Sequence, residues 1–241
     1  MKILSFIFLA LGFLFLAWFC KERVKGFSPK AVVLKSLASA CFMGIAISAL
    51  FASASGTMST FGFFVIFGLL FGLFGDIWLD LKWVYPNDVK IWTFSGFYVF
   101  AVQHVLIAIG LFLNFIIGME SKYVLICVAT IVVGVAAGIL NVLFLEKPMK
   151  LNYGDYKKVS GFYGGILISM PLLTLALAIM FGFHNIAIDL MFAGEVFFLI
   201  SDLILSGTYF GEGKDRPIDV ILNHGTYYLG QFLIALSLLF I

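Results

Sequence analysis

Charge is what this chain has least of. Asp, Glu, Lys and Arg together make up 12 % of its 241 residues, while 63 % are apolar; soluble domains carry roughly a quarter charged residues. A water-soluble globular fold is therefore excluded. Cysteine is scarce too: Cys20, Cys41 and Cys127 stand alone, with no CxxC spacing, so neither a disulfide framework nor a thiolate metal site is expected. Histidine occurs three times, with no second histidine at ligand spacing, so no metal site is expected. Long polar stretches are missing as well. That leaves no room for a soluble domain, a nucleic-acid-binding patch or a disordered linker, and any chemistry must be housed among apolar segments.

What is there is a series of apolar runs, each near the ~20 residues a helix needs to cross a bilayer. They fall at 2–20, 31–55, 59–81, 91–117, 123–145, 159–182, 186–206 and 218–240. The expected fold is all-α, an eight-transmembrane-helix bundle forming one integral membrane domain over residues 1–241. The first run ends in bulky Trp18-Phe19-Cys20 followed by Lys21, Arg23 and Lys25, which argues against a cleaved leader and for a first span. Thirteen of the 15 Lys and Arg residues fall on loops one, three, five and seven, with Lys35 counted at its helix end; Lys2 and Lys122 are the exceptions. Under the positive-inside rule the odd loops are cytoplasmic and both termini lie outside.

The second half restates the first at an offset of about 126 residues. Gly75-Asp76-Ile77 has a counterpart in Ser201-Asp202-Leu203, and Gln103 is echoed by Gln231. Two parallel four-helix repeats, 1–117 and 123–241, follow from an even number of spans per half. Pairs of small residues, Gly68 and Gly72, Gly134 and Gly138, Gly161 and Gly165, read as close helix contacts. Pro171 is expected to break segment six.

Ionisable side chains at membrane depth cost several kcal/mol and usually face a bundle interior or a wet cavity, so Asp76 in segment three is the first site candidate. The plainer alternative is that it reaches headgroup water near its helix end. Glu195 and Asp202, seven residues apart, share one face of segment seven, roughly 10 Å apart along the axis. His224, Tyr227, Tyr228 and Gln231 form a stripe on segment eight that points away from lipid, as a substrate-binding surface or as an interhelical hydrogen-bond seam. His104 alone is a weak signal. Glu120, Lys122, Asp88, Glu146, Asp155, Glu212, Asp215 and Asp219 read as solvated loop charges.

Three stretches carry a family resemblance: GLLFGLFGDIWL (68–79) in segment three, Gln103-His104 in segment four, and SDLIL (201–205) followed by YYLGQFLIA (227–235) in segments seven and eight. With Tyr163 and Met170 in segment six, the chain resembles the YhhN family of lysoplasmalogenase-like membrane proteins. The resemblance implies a hydrolase that cleaves the vinyl ether bond of lysoplasmalogens within the bilayer, giving a fatty aldehyde and glycerophosphocholine or glycerophosphoethanolamine, and it implies no metal or organic cofactor. The chain departs from that pattern at Gly72, where Ser is usual, at Asp80, where an apolar residue is usual, and at Glu195, where a small residue is usual.

Vinyl ether hydrolysis asks for a proton donor, an anion beside an oxocarbenium ion, and water. Two carboxyls can divide that work, as they do in glycoside hydrolysis. Asp76 and Asp202 are the expected catalytic pair. Gln103, His104, Tyr227, Tyr228, Gln231, Glu195 and Asp80 are expected around the substrate, with Lys82 and Lys90 meeting the phosphate at the cytoplasmic mouth. Two other readings remain open: a proton-coupled small-molecule or lipid transporter on a four-plus-four repeat, and a lipid-sensing protein without turnover. The sequence carries no sign of oligomeric state.

Overall fold

The computed structural model describes residues 1–53, 59–211 and 216–241; Glu212 and Asp215, and the last residues of the expected second span, lie outside them. Among the described residues the chain forms eight α-helices and no strand: α1 (Lys2–Arg23), α2 (Pro29–Leu50), α3 (Thr60–Val84), α4 (Val89–Leu111), α5 (Ser121–Leu140), α6 (Lys157–Met180), α7 (Ile186–Phe210) and α8 (Pro217–Ser237). Single turns of π-helix extend α4 over Phe112–Ile116 and α5 over Asn141–Leu145.

Local chemistry sets several of these boundaries. Ser28 accepts the Ala31 N–H at 3.1 Å and Pro29 opens α2, so a capping hydroxyl and a pre-set φ act together. Ser59 caps α3 by accepting the Gly62 N–H at 3.0 Å, and Asn185 caps α7 through the Ile188 N–H. Between α6 and α7 the chain turns through left-handed backbone at Gly182 and Phe183, φ +62° and +57°. Pro171 does not break α6, which runs unbroken from 157 to 180. The Thr174 hydroxyl donates to the Met170 carbonyl at 2.8 Å, one of the side-chain bonds that let a membrane helix carry proline.

Helices α1 to α6, together with their short extensions, are long and apolar enough to cross a membrane, so the chain is a multi-pass membrane protein. Consecutive helices pack as pairs, α1 on α2, α3 on α4, α5 on α6 and α7 on α8. The pairs are joined by α2 on α3 and α6 on α7, and closed by α2 on α8 and α4 on α6. The closest approach is between α5 and α6, where a Cβ at Gly138 would lie 2.1 Å from the Gly165 amide nitrogen and one at Gly134 2.4 Å from the Ser169 Cα. Small residues there let backbones touch, which is how helices gain packing energy in lipid. α1 and α5 bury the least, exposing residues such as Phe6, Leu14, Leu125 and Val132. The core lies between α2, α3, α4, α6, α7 and α8, around Phe42, Leu69, Ile107, Leu173, Tyr228 and Phe232. Embedded in it is a polar centre.

Candidate active site

The polar centre starts from a lysine. Lys35 on α2 is buried, and its Nζ donates to Asp80 Oδ1 at 3.0 Å while lying 3.4 Å from Asp76 Oδ1. Asp76 and Asp80 are four residues apart on α3, so one turn presents both carboxylates to one ammonium. The second oxygen of Asp76 accepts from Ser39 Oγ at 2.6 Å and from Tyr227 OH at 2.8 Å. Ser39 stands one turn after Lys35 and its Oγ lies 2.9 Å from Tyr228 OH, which itself donates to the Lys35 carbonyl at 2.9 Å. A buried charge needs such a set of donors, because each unsatisfied lone pair would be left without water.

From Tyr227 the bonds continue inward. Gln231 Nε2 donates to Tyr227 OH at 2.9 Å and to Gln103 Oε1 at 3.2 Å, while Gln103 Nε2 donates to Gln231 Oε1 at 2.9 Å. The two amides thus exchange bonds reciprocally. Gly72 makes room for them: a Cβ there would lie 2.3 Å from Gln103 Oε1 and 2.9 Å from Gln231 Nε2. Amide orientation, tyrosine hydroxyl and carboxylate therefore form one directed series across α4, α8 and α3.

Asp202, on α7, has different company. Its Oδ2 accepts from Tyr163 OH on α6 at 2.5 Å, and its Oδ1 lies 3.3 Å from Ser201 Oγ. Asn223 on α8 fixes the α7 backbone beside it by donating to the Ser201 carbonyl at 2.7 Å. Asp76 and Asp202 both line a cavity of about 630 Å³, mouth included, whose walls also hold Arg23, Lys35, Phe100, Asn223, His224 and Tyr227. A second cavity, about 660 Å³ and mostly apolar, reaches Asp202 from between α6 and α7. Asp202, Leu205 and Tyr209 line both.

The remaining expected residues divide. Asp80 lines the polar cavity; Tyr228, Gln103 and Gln231 stand behind its wall. His104 and Glu195 are fully buried, with His104 Nδ1 3.1 Å from Glu195 Oε2, yet neither is aligned for a hydrogen bond; proximity without alignment makes this a contact and not a made bond. Lys82 is buried with its Nζ 3.4 Å from the Tyr209 ring centre and is not among the residues lining the cavity. Lys90 pairs with Asp155 at 2.6 Å on an exposed surface. Among the described residues the cations lining the cavity are Lys35 and Arg23, and the expected Lys82 and Lys90 are not among them. Asp219, expected among solvated charges, also lines the cavity while bonded to Arg216 at 2.8 and 2.9 Å. Among the described residues no three His, Cys, Asp or Glu side chains gather as a metal-binding set.

Sequence reasoning passed over Lys35, counting it as an orientation charge, and did not single out Ser39. A lysine inside an apolar run, four residues from a serine, meets the same criterion that singled out Asp76. Comparison with curated proteins and with solved structures returns no match. A family model does match, over residues 30–238, and by that span the chain belongs to the YhhN family.

Proposed function

We propose that the protein is a membrane hydrolase that cleaves the vinyl ether bond of lysoplasmalogens. The observation that carries this reading is that two carboxyls, Asp76 and Asp202, face one cavity with unlike partners. Asp76 receives an ammonium and two hydroxyls and serves as the anion. Asp202 has no cation within ion-pair distance among the described residues; with only hydroxyl partners and an apolar cavity beside it, it serves as the proton donor. The reaction then balances simply. Asp202 gives its proton to the alkenyl carbon remote from the ether oxygen, and the carbon bonded to that oxygen becomes an oxocarbenium ion held beside Asp76. Water adds to that carbon and returns a proton to Asp202, and the hemiacetal collapses to a fatty aldehyde and the glycerol hydroxyl. General acid–base steps of this kind contribute about 10²–10⁴ in rate.

The same reading places the chain in the membrane as eight spans with both termini outside, supported by the Lys and Arg distribution. It treats residues 1–241 as one domain built from two parallel repeats. The reciprocal Gln103–Gln231 bonds favour the repeats, because equivalent residues facing each other across a two-fold axis exchange identical bonds.

Purified protein in nanodiscs, supplied with 1-alkenyl lysophosphocholine or lysophosphoethanolamine, is expected to release aldehyde detectable by mass spectrometry. Asp202→Asn and Asp76→Asn should each lower that release by a factor of roughly 10²–10⁴ while still binding the lipid. No aldehyde from the wild type above the protein-free blank refutes the proposal.

A further inference from the structure

The apolar cavity beside Asp202 receives no part of the substrate in the chemistry above, yet it opens onto that residue as the polar cavity does. α6 forms its floor, with α5 and α7 packed on either side of α6. Along α6 its lining changes character with depth. Near the start of the helix the Ser160 hydroxyl is buried and has no hydrogen-bond partner. One turn further in, Tyr163 is bonded to Asp202. Beyond these the lining is Gly164, Leu167 and Ile168, faced by Leu199 from α7. A polar shallow end, an ionisable group at one turn's depth and an apolar inner end match the order of parts in a single-chain lipid standing in one leaflet.

We infer that this cavity seats the hydrocarbon chain of the lipid substrate, and that Gly164 keeps the way along α6 open to the chain. The inference rests on the lipid-hydrolase reading for the identity of the occupant. With the chain along Leu167, Ile168 and Leu199, the atoms next to the polar group lie at Asp202, where the two cavities meet, and the headgroup continues into the polar cavity beside Arg23 and Lys35. An oxygen of the glycerol at the shallow end would give Ser160 the partner it lacks.

Gly164 is where the inference can be tested without disturbing the fold. A Cβ at that position meets only the Gly138 Cα, at 3.9 Å, which is ordinary contact. Its neighbours in the α5–α6 seam are unlike it, since a Cβ at Gly138 would collide with backbone. Because Gly164 also lines the cavity, a leucine there is expected to take up space within it, and replacing glycine within a helix favours the helical state.

The binding probe is a 1-alkyl lysophosphocholine, saturated and without a vinyl ether, carrying a diazirine part-way along its chain, at the depth of Leu167 and Ile168, which stand about 6 to 8 Å beyond Tyr163 along α6. Irradiated with the wild type in nanodiscs, it is expected to label peptides containing Leu167, Ile168 or Leu199, and excess unlabelled lipid should suppress that labelling. Gly164→Leu should lose at least nine-tenths of it. Label spread over the lipid-facing surfaces of α1 and α5, unaffected by competitor or by Gly164→Leu, overturns the inference even if the wild type releases aldehyde. Competed labelling of the cavity in a wild type that releases no aldehyde leaves the chain site standing and overturns the hydrolase reading instead. Where turnover is present, Gly164→Leu should raise KM at least tenfold for long-chain substrate with less than a twofold change for a short-chain one; an equal loss for both lengths also overturns it.

Discussion

Replacing Lys35 by methionine keeps the length of the side chain and removes its charge from between two carboxylates. With an effective dielectric near 20, each of the contacts at 3.0 and 3.4 Å is worth about 5 kcal/mol of attraction. Desolvation of three charged groups, several kcal/mol per ion, consumes most of that gain, so the intact triad contributes little net stability. Breaking it is a different matter. Lys35→Met removes the ammonium that lies against both Asp76 and Asp80, and a buried ion whose partner is removed costs about 3–5 kcal/mol. For a chain of this size that corresponds to a fall in melting temperature of roughly 6–20 °C. The assay is thermal unfolding of the purified protein in one detergent, followed by intrinsic fluorescence, for Lys35→Met and for Lys35→Met combined with Asp80→Asn. The double variant removes one of the two stranded charges and should recover at least half of the loss. If Lys35→Met melts within about 2 °C of the wild type, or if the double variant is the less stable of the two, the account of Lys35 as the counter-charge of this site is wrong.

Two further outcomes follow from the geometry. Gly72→Ala would drive a methyl into Gln103 Oε1 and Gln231 Nε2 and part the amide pair; stranding buried amide groups costs about 1–3 kcal/mol each, which outweighs the ~1 kcal/mol gained in helix propensity, so its melting temperature should fall. Outside the spans, Glu146 accepts from Lys157 Nζ at 2.6 Å and from the Tyr153 amide at 3.1 Å, and the Lys157 bond holds its carboxyl below the usual glutamate range. A depressed folded-state pKa makes this contribution fully present above the unfolded value and lost as pH falls through the folded one. Limited proteolysis between 146 and 157 by an acid-active protease should therefore accelerate on acidification in the wild type, and Glu146→Gln should flatten that dependence.

Much of the fold was legible because hydrophobic length is a strong signal: each expected span overlaps a helix, and Ser28-Pro29 marks a start that the residues themselves dictate. The polar centre was half legible. Asp76 stood out because carboxylates are costly in hydrocarbon, and Gln231 because it lies on a stripe with Tyr227 and Tyr228. Lys35 was obscured by a competing explanation, since a lysine near a helix end also reports orientation. Lys82 was misplaced toward the cavity because sequence distance says nothing about rotation: Lys82 and Asp80 differ by 200° around α3, and the lysine ends over Tyr209. Pro171 was read by its local effect alone, whereas the continuous helix depends on bonds such as the one from Thr174. Asp219 looked like a loop charge because nothing in its neighbourhood along the chain reveals that α8 begins at the edge of the cavity.

Helix α8 is synthesised after the seven helices it packs with, and that order gives it an unusual obligation. Until α8 arrives, Gln103 lacks the amide that completes it, Asp76 lacks the Tyr227 hydroxyl and Lys35 lacks Tyr228 on its carbonyl. The seven earlier helices thus hold an unfinished polar centre, and the six of them that are long and apolar enough to span a membrane meet few substitute partners there. Biogenesis of this protein should pass through an intermediate in which the earlier helices remain loosely associated, open to the membrane's quality-control proteases, and closure by α8 should be the step that both protects the chain and completes its polar centre.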